Sequence, residues 1–113
     1  MTSGGVPTVS VGDVPEPSST AILLDVREDD EWAHGHAPGA VHIPLADVPA
    51  RMGELDPAAD LYVVCKAGGR SAQAVRYLLH SGVEATNVDG GMVSWQQAGR
   101  PLTTDDGRPA SIY

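Results

Sequence analysis

Asp60-Leu61-Tyr62-Val63-Val64-Cys65-Lys66-Ala67-Gly68-Gly69-Arg70-Ser71 is the stretch that decides the fold. Residues 60–65 are rich in β-branched and aromatic side chains, the composition of a strand. Two glycines then allow a tight curl. From Ser71 to His80 the apolar residues Ala72, Val75, Leu78 and Leu79 recur at helical spacing, and Ser81-Gly82 closes that helix. The unit is strand, short loop, helix, with a thiol at the strand's carboxyl end.

The flanking sequence repeats the pattern. Upstream, Ala21 to Val26 is a continuous apolar run of the kind found in a strand buried on both faces. Arg27 to His34 reads as a short acidic helix stopped by Gly35 and Pro38, and Ala40 to Ile43 as a short strand closed by Pro44. Ala46 to Leu55 reads as a helix with Pro49 near its start, and Thr8 to Val11 as an edge strand. Downstream, Ala85 to Val88 is a third central strand, Asp89-Gly90-Gly91 a turn, and Met92 to Ala98 a helix ended by Gly99. Strands alternating with helices predict an α/β fold with a mainly parallel sheet, whose working site lies at the carboxyl ends of the strands. One domain is expected over residues 1–113, with a core from about 9 to 102 and a surface tail over 103–113.

The 113 residues carry a formal net charge of −8 and one cysteine. A single cysteine excludes an internal disulfide framework and a cysteine-based zinc cluster. Seven basic residues against fifteen acidic ones argue against nucleic acid or an anionic membrane as partner. No apolar run approaches the roughly 20 residues of a membrane helix, and the first residues lack the basic and apolar regions of a secretory signal. A cytoplasmic, monomeric protein with a reduced thiol is expected.

The chemistry concentrates at Cys65. Loop N–H groups, the start of a helix, and the cations Lys66 and Arg70 all favour negative charge beside the thiol. They predict a lowered thiol pKa and a seat for an anionic substrate group. Asp25 and Arg27 are expected to be structural: Asp25 bracing the loop, Arg27 pairing with a carboxylate such as Glu31. A thiolate at a lowered pKa needs no separate base. His36 reads as a hydrogen-bonding turn residue, and His34, His36 and His42 lack metal-ligand spacing. Trp32 and Trp95 read as core anchors. The acidic run Glu28-Asp29-Asp30-Glu31 reads as a solvated helix start.

The loop Cys65-Lys66-Ala67-Gly68-Gly69-Arg70-Ser71 resembles the active-site loop of the rhodanese family of sulfurtransferases, in its Cys-x-x-Gly-x-Arg-Ser form. Asp25-Val26-Arg27-Glu28, Glu31-Trp32, Gly35-His36-Ala37-Pro38-Gly39-Ala40 and Ile43-Pro44-Leu45 resemble its upstream block. Gly90-Gly91, Trp95 and Ala98-Gly99-Arg100-Pro101-Leu102 resemble its downstream block. The resemblance implies a five-stranded, mainly parallel sheet flanked by helices on both faces. It implies Cys65 as nucleophile and persulfide carrier. Lys66 and Arg70 would attract the anion, and the backbone of Ala67, Gly68, Gly69, Arg70 and Ser71 would cradle the sulfur. The resemblance further implies thiosulfate or a persulfide-bearing partner protein as donor, a thiol or cyanide as acceptor, and no metal or organic cofactor. Related folds host phosphatases and arsenate reductases with a Cys-x5-Arg loop. The Cys-x4-Arg spacing here suits a single sulfur atom better than a tetrahedral oxyanion. The alternatives are a non-catalytic module that binds a partner or senses redox state and, behind it, a phosphatase or arsenate reductase.

Overall fold

The computed structural model describes residues 2–3 and 5–113. Its strands are β1 (Thr2–Ser3), β2 (Val6–Val9), β3 (Ala21–Asp25), β4 (Val41–His42), β5 (Asp60–Val64) and β6 (Thr86–Val88). Its helices are α1 (Asp29–His34), α2 (Val48–Arg51), α3 (Gly69–His80) and α4 (Gly91–Gln97). The sheet order is β1-β2-β6-β5-β3-β4. β2 to β6 run parallel, which gives the expected five-stranded parallel sheet. The two-residue β1 adds an antiparallel edge that the sequence pattern does not announce.

The longest register joins β3 to β5, from Ala21 opposite Asp60 to Asp25 opposite Val64. Alternation along these strands sorts their side chains onto two faces. Leu24, Leu61, Val63 and Cys65 meet Ala72, Ala74, Val75 and Leu78 of α3, with Ile43, Val48 and Leu55 beyond. On the opposite face Leu23, Val64 and Val88 meet Met92 and Trp95 of α4 together with Val14 and Ala37. Each fully buried large apolar side chain contributes roughly 1.5–3 kcal/mol, so these two layers are what hold the strand ends level.

Several boundaries differ from expectation for local reasons. The strand expected at the edge over 8–11 lies instead at Val6–Val9, because Val11–Asp13 tightens into a 3-10 turn, and β1 rather than this strand forms the edge. The segment 46–55 does not form one helix. It breaks into a 3-10 turn, the four-residue α2 with Pro49 in its first turn, and a second 3-10 turn containing Gly53. α1 starts at Asp29 rather than Arg27, since Arg27 is pinned back onto Asp25. Glu28 caps the helix instead, donating its N–H to Glu31 Oε1 at 2.9 Å.

Two expected partnerships are corrected. Arg27 does not pair with the Glu31 carboxylate. Its guanidinium grips Asp25, with Nη2 at 2.7 Å from Oδ2 and Nε at 3.0 Å from Oδ1, and both residues are fully buried. Arg27 also donates from Nη2 to the Gly35 carbonyl at 2.8 Å, which fastens the end of α1. Asp25 therefore braces Arg27, not the loop. Trp32 is not a core anchor: it is half-buried and stacks between His36 (3.6 Å between centroids) and His42 (4.7 Å). Trp95, at 2% exposure, fills the core as expected.

The tail is more than surface chain. Thr103 and His36 exchange backbone hydrogen bonds, Ser111 N donates to the His34 carbonyl at 2.9 Å, and Asp105 meets both Trp32 Nε1 and His36 Nε2. A side chain at Gly35 would lie 2.5 Å from the Ser111 carbonyl oxygen, so glycine is required where the tail crosses α1. None of the described helices is long and apolar enough to cross a membrane.

Removing Arg27 leaves a buried carboxylate without its partner. Arg27→Ala is expected to cost about 3–5 kcal/mol in urea unfolding. Asp25→Asn combined with Arg27→Met should recover part of that loss, since it removes both charges and refills the volume. Equal losses in the two variants would refute the pairing argument.

Candidate active site

β5 delivers Cys65 to the carboxyl edge of the sheet, one residue past the strand. The chain then turns through Lys66 and Ala67 to Gly68, which adopts φ +116° and caps α3. α4 closes over this turn. Met92 N donates to the Cys65 carbonyl at 2.8 Å and Val93 N to the Lys66 carbonyl at 3.0 Å. The approach is close enough that a Cβ on Gly91 (φ +58°) would collide with the Cys65 carbonyl and lie 2.5 Å from that of Lys66. Gly91 thus lets one helix start hold the loop that feeds another.

The thiol sits on the floor of this loop, with Cys65 only 1% exposed. Gly68 N donates to Sγ at 3.0 Å, and Ser71 Oγ lies 3.3 Å from Sγ. Ser71 Oγ is also 3.2 Å from the Gly68 carbonyl. One hydroxyl proton serves both positions, so it faces the carbonyl beside a thiol and turns to the sulfur beside a thiolate. Burial pushes the Cys65 thiol up, but the Ser71 hydroxyl and the N–H groups of Ser71, Gly68 and Ala67 together outweigh it and set the thiol below its ordinary value. The shift is in the expected direction, and its largest lowering contributions come from these short-range donors, with the Arg70 charge acting on the sulfur from further out.

Those cations are placed differently from one another. Lys66 is half-buried and, among the described residues, makes no ion pair. Arg70 is locked to Glu31, Nη1 to Oε1 at 2.6 Å and Nη2 to Oε2 at 2.9 Å. The Arg70 guanidinium holds the Glu31 carboxyl down to about 2 from 4.5. The contribution of this pair to stability is full above about pH 4.5 and is lost as pH falls toward 2. Beside the loop, Arg70, Ala74 and Tyr77 of α3 face Leu45, Val48, Pro49 and Glu28 across an open groove of about 400 Å³.

A strand-end thiol biased toward the thiolate, ringed by N–H donors and set against the start of a twelve-residue helix, is equipped for nucleophilic attack and for holding a negatively charged product. The rhodanese-like domain family matches residues 13–98. The chain belongs to the rhodanese family.

This rhodanese-like domain is 36% identical to YtwF of Bacillus subtilis over 96 residues, covering 85% of this chain and 93% of that one. It is 34% identical to the Sulfurtransferase of Allochromatium vinosum over 87 residues, 76% of this chain and 81% of that one. Among solved structures, a rhodanese-related protein from Thermoplasma volcanium superposes with a TM-score of 0.81 at 29% identity, covering 88% of this chain and 99% of that one.

Of the residues singled out in sequence, the structure gathers Cys65, Gly68 and Ser71 around one sulfur, with the Ala67 N–H beside them. Lys66, Gly69 and Arg70 flank the sulfur without bonding it. Asp25 and Arg27 support α1 from below. The sequence places Glu31 in a solvated helix start or beside Arg27, whereas the structure gives its carboxylate to Arg70. The one local clue was its place three residues after Glu28, which marks a capping box but not what else the carboxylate holds.

Alkylation of Cys65 by iodoacetamide should rise with pH and reach half its plateau below about 8.5, the ordinary thiol value. Ser71→Ala removes a donor from the thiolate, so its midpoint should move up. Stopped-flow or quenched mass measurements read both. A wild-type midpoint at or above the ordinary value would contradict the assigned donors.

Proposed function

We propose that this rhodanese-like domain transfers a sulfane sulfur from thiosulfate or a persulfide donor to a thiol or cyanide acceptor through a persulfide on Cys65. The observation that carries this reading is the convergence of the Gly68 N–H and the Ser71 hydroxyl on Cys65 Sγ at the start of α3. The Cys65 thiolate attacks the outer sulfur of the donor. The donor's sulfur–sulfur bond breaks, and sulfite leaves with the bonding pair when the donor is thiosulfate. The new persulfide anion sits among the N–H groups of Ala67 to Ser71, which meet its charge without reorganising. The acceptor then attacks the terminal sulfur, and Cys65 departs as the thiolate it began as.

Splitting one transfer into two displacements needs a good nucleophile that is also a good leaving group. A thiolate with a depressed pKa is both. Lys66 supplies the positive charge that draws an anionic donor toward the loop. With one cysteine in these 113 residues, the persulfide has no internal thiol to resolve it, so the sulfur passes to an outside acceptor. The donor is a small anion or a partner protein's persulfide, and the working form is a monomer.

Intact mass spectrometry after incubation with thiosulfate should show the gain of one sulfur atom, removed again by cyanide or a thiol. Cys65→Ser should show no gain while remaining folded by circular dichroism. Sulfur transfer that survives in Cys65→Ser would overturn the proposal.

A further inference from the structure

The acidic run at the start of α1 divides by what its members touch. Asp29 and Asp30 are exposed, and Glu28 lines the groove beside the loop. Glu31 is different: its side chain is 12% exposed, and both of its oxygens are taken by the two terminal nitrogens of Arg70. The same Oε1 receives the Glu28 N–H, so the carboxylate cannot swing away without uncapping α1. Arg70 is thereby held by a charge on a different element, 39 residues earlier in the chain. Its guanidinium stays close enough to Cys65 to feel the sulfur's charge, yet its own charge is cancelled by Glu31.

We infer that Glu31 sets the charge selectivity of the Cys65 site: by holding Arg70 in a bidentate ion pair it withholds one of the loop's two cations from an incoming anion, and the site favours donors of low negative charge over a dianion. The choice of donors rests on the sulfur-transfer reading above, but the electrostatic effect at Cys65 does not. Coulomb attraction scales with the charge on the incoming group. Releasing Arg70 must therefore help a dianion more than a monoanion, and a monoanion more than a neutral molecule. Glu31 acts through Arg70 and is a positioning residue, not a catalytic one.

Thiosulfate and methanethiosulfonate present the same outer sulfur with two charges and one. In each, the Cys65 thiolate takes that sulfur and the sulfur–sulfur bond breaks. Sulfite leaves from the first and methanesulfinate from the second, each with the bonding pair. Glu31→Gln keeps the shape and, through its remaining oxygen, the acceptor for the Glu28 N–H. It removes the charge and turns the oxygen facing Arg70 Nη2 into an amide donor, so the bidentate grip on Arg70 is lost. It should raise kcat/KM for thiosulfate about tenfold, mainly through KM, and that for methanethiosulfonate about threefold, because the effect compounds with donor charge. A purely structural role would instead lower both together, through kcat.

An arm that needs no sulfur transfer is alkylation of Cys65 by iodoacetate and iodoacetamide at one pH. Their rate ratio cancels the thiolate fraction and reports only the cost of bringing up a negative charge. The ratio should rise about threefold in Glu31→Gln. It should fall below wild type in Arg70→Gln, where Glu31 is left uncompensated, and return near wild type in the double variant. A ratio unmoved in Glu31→Gln and in Arg70→Gln overturns the inference whatever the donors do. A ratio that moves as expected, with no sulfur acquired from either donor or from a small-molecule persulfide, supports the role of Glu31 and overturns the sulfur-transfer reading instead.

Discussion

A sulfur atom removed from water carries negative charge only if hydrogen-bond donors replace the solvent it has lost. Cys65 is 1% exposed, and almost everything around it answers that constraint. The donors come mainly from backbone, which cannot rotate away: the N–H groups of Ala67, Gly68 and Ser71, with the Ser71 hydroxyl as the one adjustable member. For those N–H groups to face inward, the chain must take a left-handed step at Gly68. For the loop to stay in that shape, its outer carbonyls must be satisfied elsewhere. The Met92 and Val93 N–H groups do this, and Gly91 lets them come close enough.

A second layer holds the wall opposite the loop. Asp25 ends β3 level with Val64, one residue short of the thiol. Its carboxylate is saturated by Arg27, which reaches on to the Gly35 carbonyl and so fixes the far end of α1. A buried pair of this kind is weak evidence of net stabilisation, because desolvation opposes the attraction. Its value here is positional. With α1 fixed at both ends, Glu31 points at Arg70 and the rim of the loop acquires its charge pattern. The tail adds a strap through Thr103, Asp105 and Ser111, and the Trp32 ring of α1 stacks against the imidazoles of His36 and His42.

The outcome is a site whose two jobs are done by different forces. Short hydrogen bonds stabilise charge on the sulfur, and they are insensitive to salt. Longer-range charges lie further out: Arg70 is paired with Glu31, while Lys66, among the described residues, makes no ion pair. On a chain of net charge −8, that leaves Lys66 as an uncompensated positive charge beside the loop, set apart from the donors that stabilise the sulfur.

How much of this was legible in the chain follows from the range of the interactions. Strand, glycine loop and helix are consecutive in residues 60–80, and hydrophobic periodicity is a local property. The α/β class and the carboxyl-edge position of Cys65 could therefore be read directly, as could Trp95 in the core, whereas the loop backbone around the sulfur was implied by the family resemblance and the Ser71 hydroxyl was not foreseen. The broken 46–55 segment and the late start of α1 were not legible, because each depends on a competition between local propensity and a distant or capping partner. The same holds for Arg27, whose carboxylate turned out to be two residues away rather than four, and for Trp32, which stacks instead of packing inward. Glu31 with Arg70, Gly91 against the Cys65 carbonyl, and the tail across Gly35 join segments with no shared periodicity. Sequence alone determined which residues could do chemistry, since that depends on side-chain type and on neighbours along the chain. Only the tertiary structure decided which charges survive around the thiol, because cancellation depends on distance in space, and the parallel register of β3 and β5 sets that distance.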